Sequence, residues 1–212
     1  MLSHALRRAS PKGKTLTFIT SAANDSTTYI ATIAIPSSAA EGDLAVLFDV
    51  AKSAIPPTIV TPSGWTSISS RSTFLQFYAF NLSYKVLSAS DPGATITGMP
   101  GTEYARKQML IFRASPAGIT ATVGNVGNQG TSGNPSAQTI SAQTPYPYLV
   151  IGASAGTDYH SSWASAWYDT DFLLSSTHLA YKLFNDNGAS VSVDCGDSGI
   201  YTYLTSCSVK VA

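Results

Sequence analysis

Apolar and polar residues alternate with a period of two along much of this chain of 212 residues, and no segment keeps a helical period. TLTFIT (residues 15–20) and YIATIAI (29–35) alternate in this way, and Pro36 ends the second. LAVLFDVA (44–51) is almost continuously apolar, which is typical of a strand buried on both faces. The polar residues are mostly Ser, Thr, Asn and Gly, which also suit strands better than surface helices. The sequence therefore predicts an all-β protein.

Turn signals separate the predicted strands. EGD (41–43), TPSGW (61–65) and SDPG (90–93) have residues that favour tight turns. Residues 74–87 contain one or two strands, and ATITG and RKQMLIFRA predict an antiparallel pair around MPGT (99–102). Residues 124–136, rich in Gly, Asn and Ser, predict either a linker or a long surface loop.

The second half of the chain repeats the first. YLVIGASAG matches LAVLFDVA, SSWAS matches SGWTS, HLAYKL matches NLSYKV, ASVSV matches ATIT, and CSVKVA matches LIFRA, all in the same order. The predicted fold is a two-sheet antiparallel β-sandwich, jelly-roll-like, over residues 15–212, with halves of about 15–114 and 121–212 that share one core. Two separate small sandwiches are the alternative. Residues 1–14 predict a polar N-terminal arm.

Charge and hydropathy exclude several classes of function. Charged residues make up 11% of the chain and the net charge is +0, which argues against a nucleic-acid partner, since phosphates require an excess of Lys and Arg. No apolar run reaches the length of roughly 18 residues that a transmembrane helix needs, so no membrane partner is expected. MLSHALRRASPKGK has basic residues without the apolar stretch of a secretory signal.

VDCGDSGIY (193–201) resembles the nucleophile loop of trypsin-like serine proteases, with Ser198 as the nucleophile. Acyl transfer also needs a His base and an orienting acid, and none of His4, His160 and His178 has the sequence context of that base. The repeat places GDSG where the first half has MPGT, a turn between strands. We therefore expect no enzyme, no catalytic residue and no cofactor.

The cysteines and acids favour the same interpretation. In a hairpin of the last two strands, Cys195 and Cys207 would face the core about 20 Å apart, too far for a disulfide, so we expect two buried free thiols. A calcium-binding EF-hand loop starting at Asp169 would need Glu where Ala180 stands, so no metal is expected. Spacing alone leaves open a surface calcium built from several loops and a pair of acids for glycoside hydrolysis.

Aromatic residues indicate one candidate binding surface. Trp65, Tyr84 and Tyr181 stand at matched positions of the repeat, which favours packing over a sugar-binding platform. WASAWYDTDF (163–172) has no equally aromatic counterpart in the first half. We therefore place a glycan or partner surface at Trp163, Trp167 and Tyr168.

Three motifs in the first half resemble a recurrent type of bacteriophage structural protein: GDLAVLF (42–48), then PSGW (62–65), then SYKV (83–86) with DPG (91–93). The resemblance implies a virion component assembled in the host cytoplasm, of the β-sandwich type, and brings no catalytic residues. Fibre proteins usually trimerise through heptads, which this sequence lacks, so we expect a capsid decoration, or cement, protein. The alternative is a tail or fibre-associated module for host recognition or carbohydrate binding.

A decoration protein implies contacts with the major capsid protein or other virion proteins. We expect the basic arm residues Arg7, Arg8, Lys12 and Lys14 to pair with acidic patches on the shell. We also expect a homo-oligomer, with the trimer as one arrangement, because trimers are common for such sandwiches on shells.

Overall fold

The computed structural model describes residues 13–26, 30–55, 57–74, 78–100, 104–130, 137–142, 147–155, 168–169, 177–185, 190–193 and 203–211. In these ranges the chain is an all-β, antiparallel protein, as the alternating sequence predicts. Seven strands belong to the first half: β1 Thr15–Ser26, β2 Ile30–Ala34, β3 Leu44–Lys52, β4 Thr66–Phe74, β5 Tyr78–Val86, β6 Thr95–Pro100 and β7 Tyr104–Ser115. Seven belong to the second: β8 Ala121–Gly130, β9 Gln138–Ile140, β10 Tyr148–Ala155, β11 Tyr168–Asp169, β12 Thr177–Phe184, β13 Val191–Val193 and β14 Tyr203–Val211.

The two halves have the same strand order. The first sheet has the order β1-β7-β3-β5-β4, and the second sheet, read from its β8 end, has the order β8-β14-β10-β12-β11. Two short ladders, β2-β6 and β9-β13, are also equivalent. The register agrees as well, since Val46 is opposite Tyr84 in the first sheet and Ile151 is opposite Tyr181 in the second. Each half thus builds one large sheet and one ladder.

The two large sheets pack face to face around one inner core. Alternate side chains of each strand point to the inner face of its sheet, and there the residues of the two sheets pack together. Tyr181 of the second sheet stacks on Phe18 at 5.0 Å between ring centroids and meets Phe112 edge-on at 5.1 Å. This shared core makes the chain one sandwich and not two separate ones.

Each ladder covers the outer face of its own sheet. Ile33 and Ile96 of the β2-β6 ladder pack on Leu47 and Ile111 of the first sheet. On the other side of the molecule, the β9-β13 ladder closes a smaller cluster with β10, β12 and β14. Because the sheets are covered on both faces, β3 and β10 are buried almost throughout, which explains their nearly continuous apolar sequences.

Two predicted hairpins are wrong. β6 pairs with β2 and not with β7, which lies between β1 and β3. In the same way β13 pairs with β9, whereas β14 lies between β10 and β8. The physical reason is that β7 and β14 each have a partner strand on both sides. β6 and β13 join the ladders, where their apolar residues cover the outer face of a sheet.

The predicted loop over residues 124–136 is also wrong as far as Gly130. Residues 121–130 form β8, which lies at the edge of the second sheet and pairs with β14. Its Gly and Asn residues weaken a strand, but an edge position with one partner strand tolerates them. Residues 131–136 lie outside the described part of the chain.

The predicted turns are confirmed. Gly42, Gly64 and Gly93 have φ values of 83°, 77° and 79°, which favour glycine. Backbone hydrogen bonds close all three turns, from Asp43 to Ala40, from Trp65 to Pro62 and from Ala94 to Asp91.

Candidate functional site

Most of the residues predicted to bind a partner lie outside the described part of the chain, namely Arg7, Arg8, Lys12, Trp163 and Trp167. Ser198, considered as a nucleophile, also lies outside it. Lys14 is described, and its Nζ donates a hydrogen bond to the carbonyl oxygen of Gly118 at 2.9 Å. The backbone of Tyr168 forms part of β11, opposite Tyr181.

Two of the three motifs behind the phage resemblance, PSGW and SYKV with DPG, meet at one cavity of about 300 Å³ on the outer side of the first sheet. Pro62, Ser63 and Trp65 line it from one turn, Lys85 from the end of β5, and Asp91 from the following turn. The wall is completed by the residue that follows β2 and by residues at the start of β6, namely Ile35, Ala94, Thr95, Ile96 and Thr97. Sequence analysis matched the motifs one by one but did not predict that they line a common cavity.

An ion pair joins two of these motifs. Lys85 Nζ lies 2.6 Å from Asp91 Oδ1, and the two side chains are 21% and 12% exposed. Asp91 Oδ2 accepts hydrogen bonds from the backbone N–H and the hydroxyl of Ser88, at 2.6 and 2.7 Å. Burial alone would raise the pKa of Asp91, but the hydrogen bonds from Lys85 and Ser88 outweigh it, so the pKa lies below its ordinary value. The carboxylate therefore holds the DPG turn against β5.

A second ion pair anchors the GDL motif. Arg113 of β7 donates from Nε to Asp43 Oδ1 at 2.8 Å and from Nη2 to Oδ2 at 2.7 Å, a bidentate arrangement. Asp43 Oδ2 also accepts the N–H of Ala40 at 2.8 Å, which closes the turn before β3. The hydrogen bond with Asp43 raises the pKa of Arg113.

A third ion pair is fully buried beneath β6. Lys107 Nζ lies 2.5 Å from Asp49 Oδ1, both side chains have no exposed surface, and Asp49 Oδ2 accepts the N–H of Met99 at 2.8 Å. Burial raises the pKa of Asp49 in spite of the attraction of Lys107. Gly98 passes so close that a Cβ there would lie 2.7 Å from Lys107 Nζ. Sequence analysis missed this pair, although a single Asp within the apolar run LAVLFDVA was a signal for it.

Cys207 faces the inner core as a free thiol, as predicted. Burial raises its pKa from 9.0 to about 12, so the sulfur is protonated at neutral pH and unreactive. Its predicted companion Cys195 lies outside the described residues.

Asn185, the residue that follows β12, binds the backbone of β1. Its Oδ1 accepts the backbone N–H of Leu16 at 2.6 Å, and its Nδ2 donates to the carbonyl oxygen of Leu16 at 3.1 Å. Among the described residues, no group of three or more His, Cys, Asp or Glu side chains is placed to hold a metal ion. The same part of the chain contains no helix that is long and apolar enough to span a membrane.

The protein is thus an antiparallel β-sandwich with a short ladder over the outer face of each sheet. Ion pairs hold the turns at its GDL and DPG motifs. Comparison with known proteins adds no relative: no family model, no curated protein and no solved structure matches this chain.

Proposed function

We propose that this chain is a non-enzymatic structural protein of a bacteriophage particle, a decoration protein that binds the outer capsid shell and stabilises it. The proposal rests on one observation, which is that the phage-like motifs hold turns of the sandwich in place. Asp43 ties the GDL turn to Arg113, and Lys85 ties the end of β5 to Asp91 of the DPG turn. Motifs that hold turns in place suit a protein whose task is to keep its shape on a particle.

The surface available for attachment includes the N-terminal arm. Lys14 is held against Gly118, next to the beginning of β1, and β1 is the edge strand of the first sheet. Arg7, Arg8 and Lys12 precede this anchor in the sequence. We propose that they pair with acidic groups of the major capsid protein, because the arm holds four of the twelve Lys and Arg residues of the chain and no Asp or Glu.

Cryo-EM of particles produced from the genome that encodes this chain tests the proposed function. We expect the protein in stoichiometric copies on the outer shell. Particles from a genome lacking its gene should lose infectivity at a lower temperature. Density at the tail in place of the shell would support the host-recognition alternative, and absence from the particle would refute both.

A separate experiment tests the arm. Replacing Arg7, Arg8 and Lys12 by Ser should lower occupancy on particles, and the difference from the native chain should shrink at high salt, because screening weakens the same charge pairs in the native chain. The matched control replaces three cations of the sandwich, Lys52, Lys182 and Lys210, by Ser. Equal occupancy of the two variants would show that the arm has no special role.

A further inference from the structure

The cavity between Trp65 and β6 has the dimensions of a small-molecule site. Its volume of about 300 Å³ lies at the lower end of the range of protein ligand pockets. Its lining joins one aromatic side chain, one ion pair and several hydroxyl groups to an apolar floor that includes Ile35 and Ile96. We propose that this cavity binds a single neutral sugar unit of a larger glycan.

Charge balance selects a neutral ligand. Lys85 and Asp91 neutralise each other at 2.6 Å, so an anionic ligand would meet the carboxylate and a cationic ligand would meet the ammonium group. A hydroxyl group is both a donor and an acceptor. Two neighbouring sugar hydroxyls can therefore accept from Lys85 Nζ and donate to Asp91 Oδ1 without separating the pair, and hydrogen bonds to charged groups are the stronger kind.

The other walls of the cavity suit the remaining faces of a sugar ring. Thr95 and Thr97 are exposed residues on the same face of β6, about 7 Å apart, and Ser63 is exposed on the opposite turn. Trp65 is partly exposed and packs against the cluster beneath the β2-β6 ladder. Its indole offers the electron-rich surface on which the C–H groups of a sugar pack.

The sequence repeat has three of the same residue types at corresponding places. Trp163, Lys182 and Asp186 follow each other in the second half as Trp65, Lys85 and Asp91 do in the first. The aromatic, cationic and acidic residues of the cavity thus recur in the repeat.

NMR titration of the full chain tests the proposal, with glucose, galactose, mannose, N-acetylglucosamine, maltose and lactose as probes. At a concentration of tens of millimolar, at least one of these sugars should shift the NMR signals of the Trp65 indole N–H and of the Thr95 and Thr97 amides. Glucuronic acid and glucosamine should bind more weakly than their neutral counterparts. No shift with any neutral sugar, or tighter binding of a charged one, would overturn the proposal.

Paired variants show whether the response comes from this cavity. Thr97→Val removes one exposed hydroxyl and should weaken binding about threefold to tenfold, as expected for one hydrogen bond. Thr139→Val is the matched control, because Thr139 is an exposed threonine of the equivalent ladder in the second half. Equal affinity of the two variants would refute this location. The result is independent of the proposed capsid role, which is measured by occupancy on particles.

Discussion

Lys107 has no exposed surface, and its Nζ pairs with the carboxylate of Asp49. Moving two charges out of water costs free energy that their attraction only partly returns, so such a pair adds little stability compared with an apolar pair of the same shape. Removing one partner is different, because the other charge then stays buried without compensation. The pair therefore fixes how β6 lies over β3 and β7 more than it strengthens the fold.

Lys107→Met should lower the free energy of unfolding by about 3–5 kcal/mol, because Asp49 is left buried without its counter-ion. The double variant Asp49→Leu, Lys107→Met should recover a large part of this loss, although the Met99 N–H loses its acceptor. Urea denaturation monitored by fluorescence measures all three proteins. A double variant that is less stable than Lys107→Met would contradict this account.

The Asp91 carboxylate gives the turn beside the cavity a defined dependence on pH. Its folded pKa lies below the ordinary value of 3.8, so its stabilising effect is complete above that value and is lost as the pH falls through the folded pKa. We expect Asp91→Asn to be less stable than the native chain at pH 7. The difference should shrink as the pH falls below about 4, near the ordinary pKa of Asp. A difference that stays constant from pH 7 to about pH 2 would contradict the assignment.

Cys207 predicts a simple chemical test of the inner core. In a Cys195→Ser background, a thiol with a pKa of about 12 and no exposed surface should not react with iodoacetamide at pH 8 in the folded protein. Labelling should become fast in urea, at the same midpoint as global unfolding. Fast labelling of the folded chain would show that the two sheets separate locally.

At the scale of elements, β1 shows how an exposed sheet edge is protected. Among the described strands, β1 has a partner strand on one side only, and the backbone groups of such an edge can pair with another chain. Asn185, from the end of β12 in the opposite sheet, satisfies both backbone groups of Leu16 with its side-chain amide. One side chain thus covers an edge position and links the two sheets.

Asn185→Ala should lower the free energy of unfolding by about 1–2 kcal/mol, the loss of two hydrogen bonds to partly buried groups. It should also increase association at high concentration, because the edge of β1 becomes available. Denaturation and light scattering measure the two effects. As a control, Asn81→Ala removes a buried asparagine that bonds to Thr61 and Ser67 away from this edge, and it should change stability without changing association.

The sequence predicts individual strands and turns far better than it predicts which strands pair with each other. Continuous burial identifies β3, and glycines with positive φ identify the turns at residues 42, 64 and 93, because these signals are local. The pairing of β6 with β2 depends on which sheet face needs covering, and no period within ATITG encodes that. For the same reason the cavity was not predicted: it requires Ile35, the turn at residues 62–65 and residues 85–97 to meet.

At the scale of the whole molecule, the two halves correspond strand by strand, and each contributes one wall of the inner core. Phe18, Phe112 and Tyr181 meet across the boundary between the halves. Neither sheet could bury this face within its own half, since the ladders cover only the outer faces. The apolar inner face of each sheet is thus buried against the sheet of the other half.

The segment of five residues between β7 and β8 therefore acts as a tether between two subunits of an internal dimer. A short tether holds its partners at an effective concentration in the millimolar range, so the midpoint of unfolding of the intact chain should not depend on protein concentration. Cleavage at an engineered protease site near Gly118 would make assembly bimolecular. The thermal midpoint of the nicked protein should then rise with concentration, which calorimetry at several dilutions measures, and a nicked protein whose midpoint is constant on dilution would show that each half folds alone.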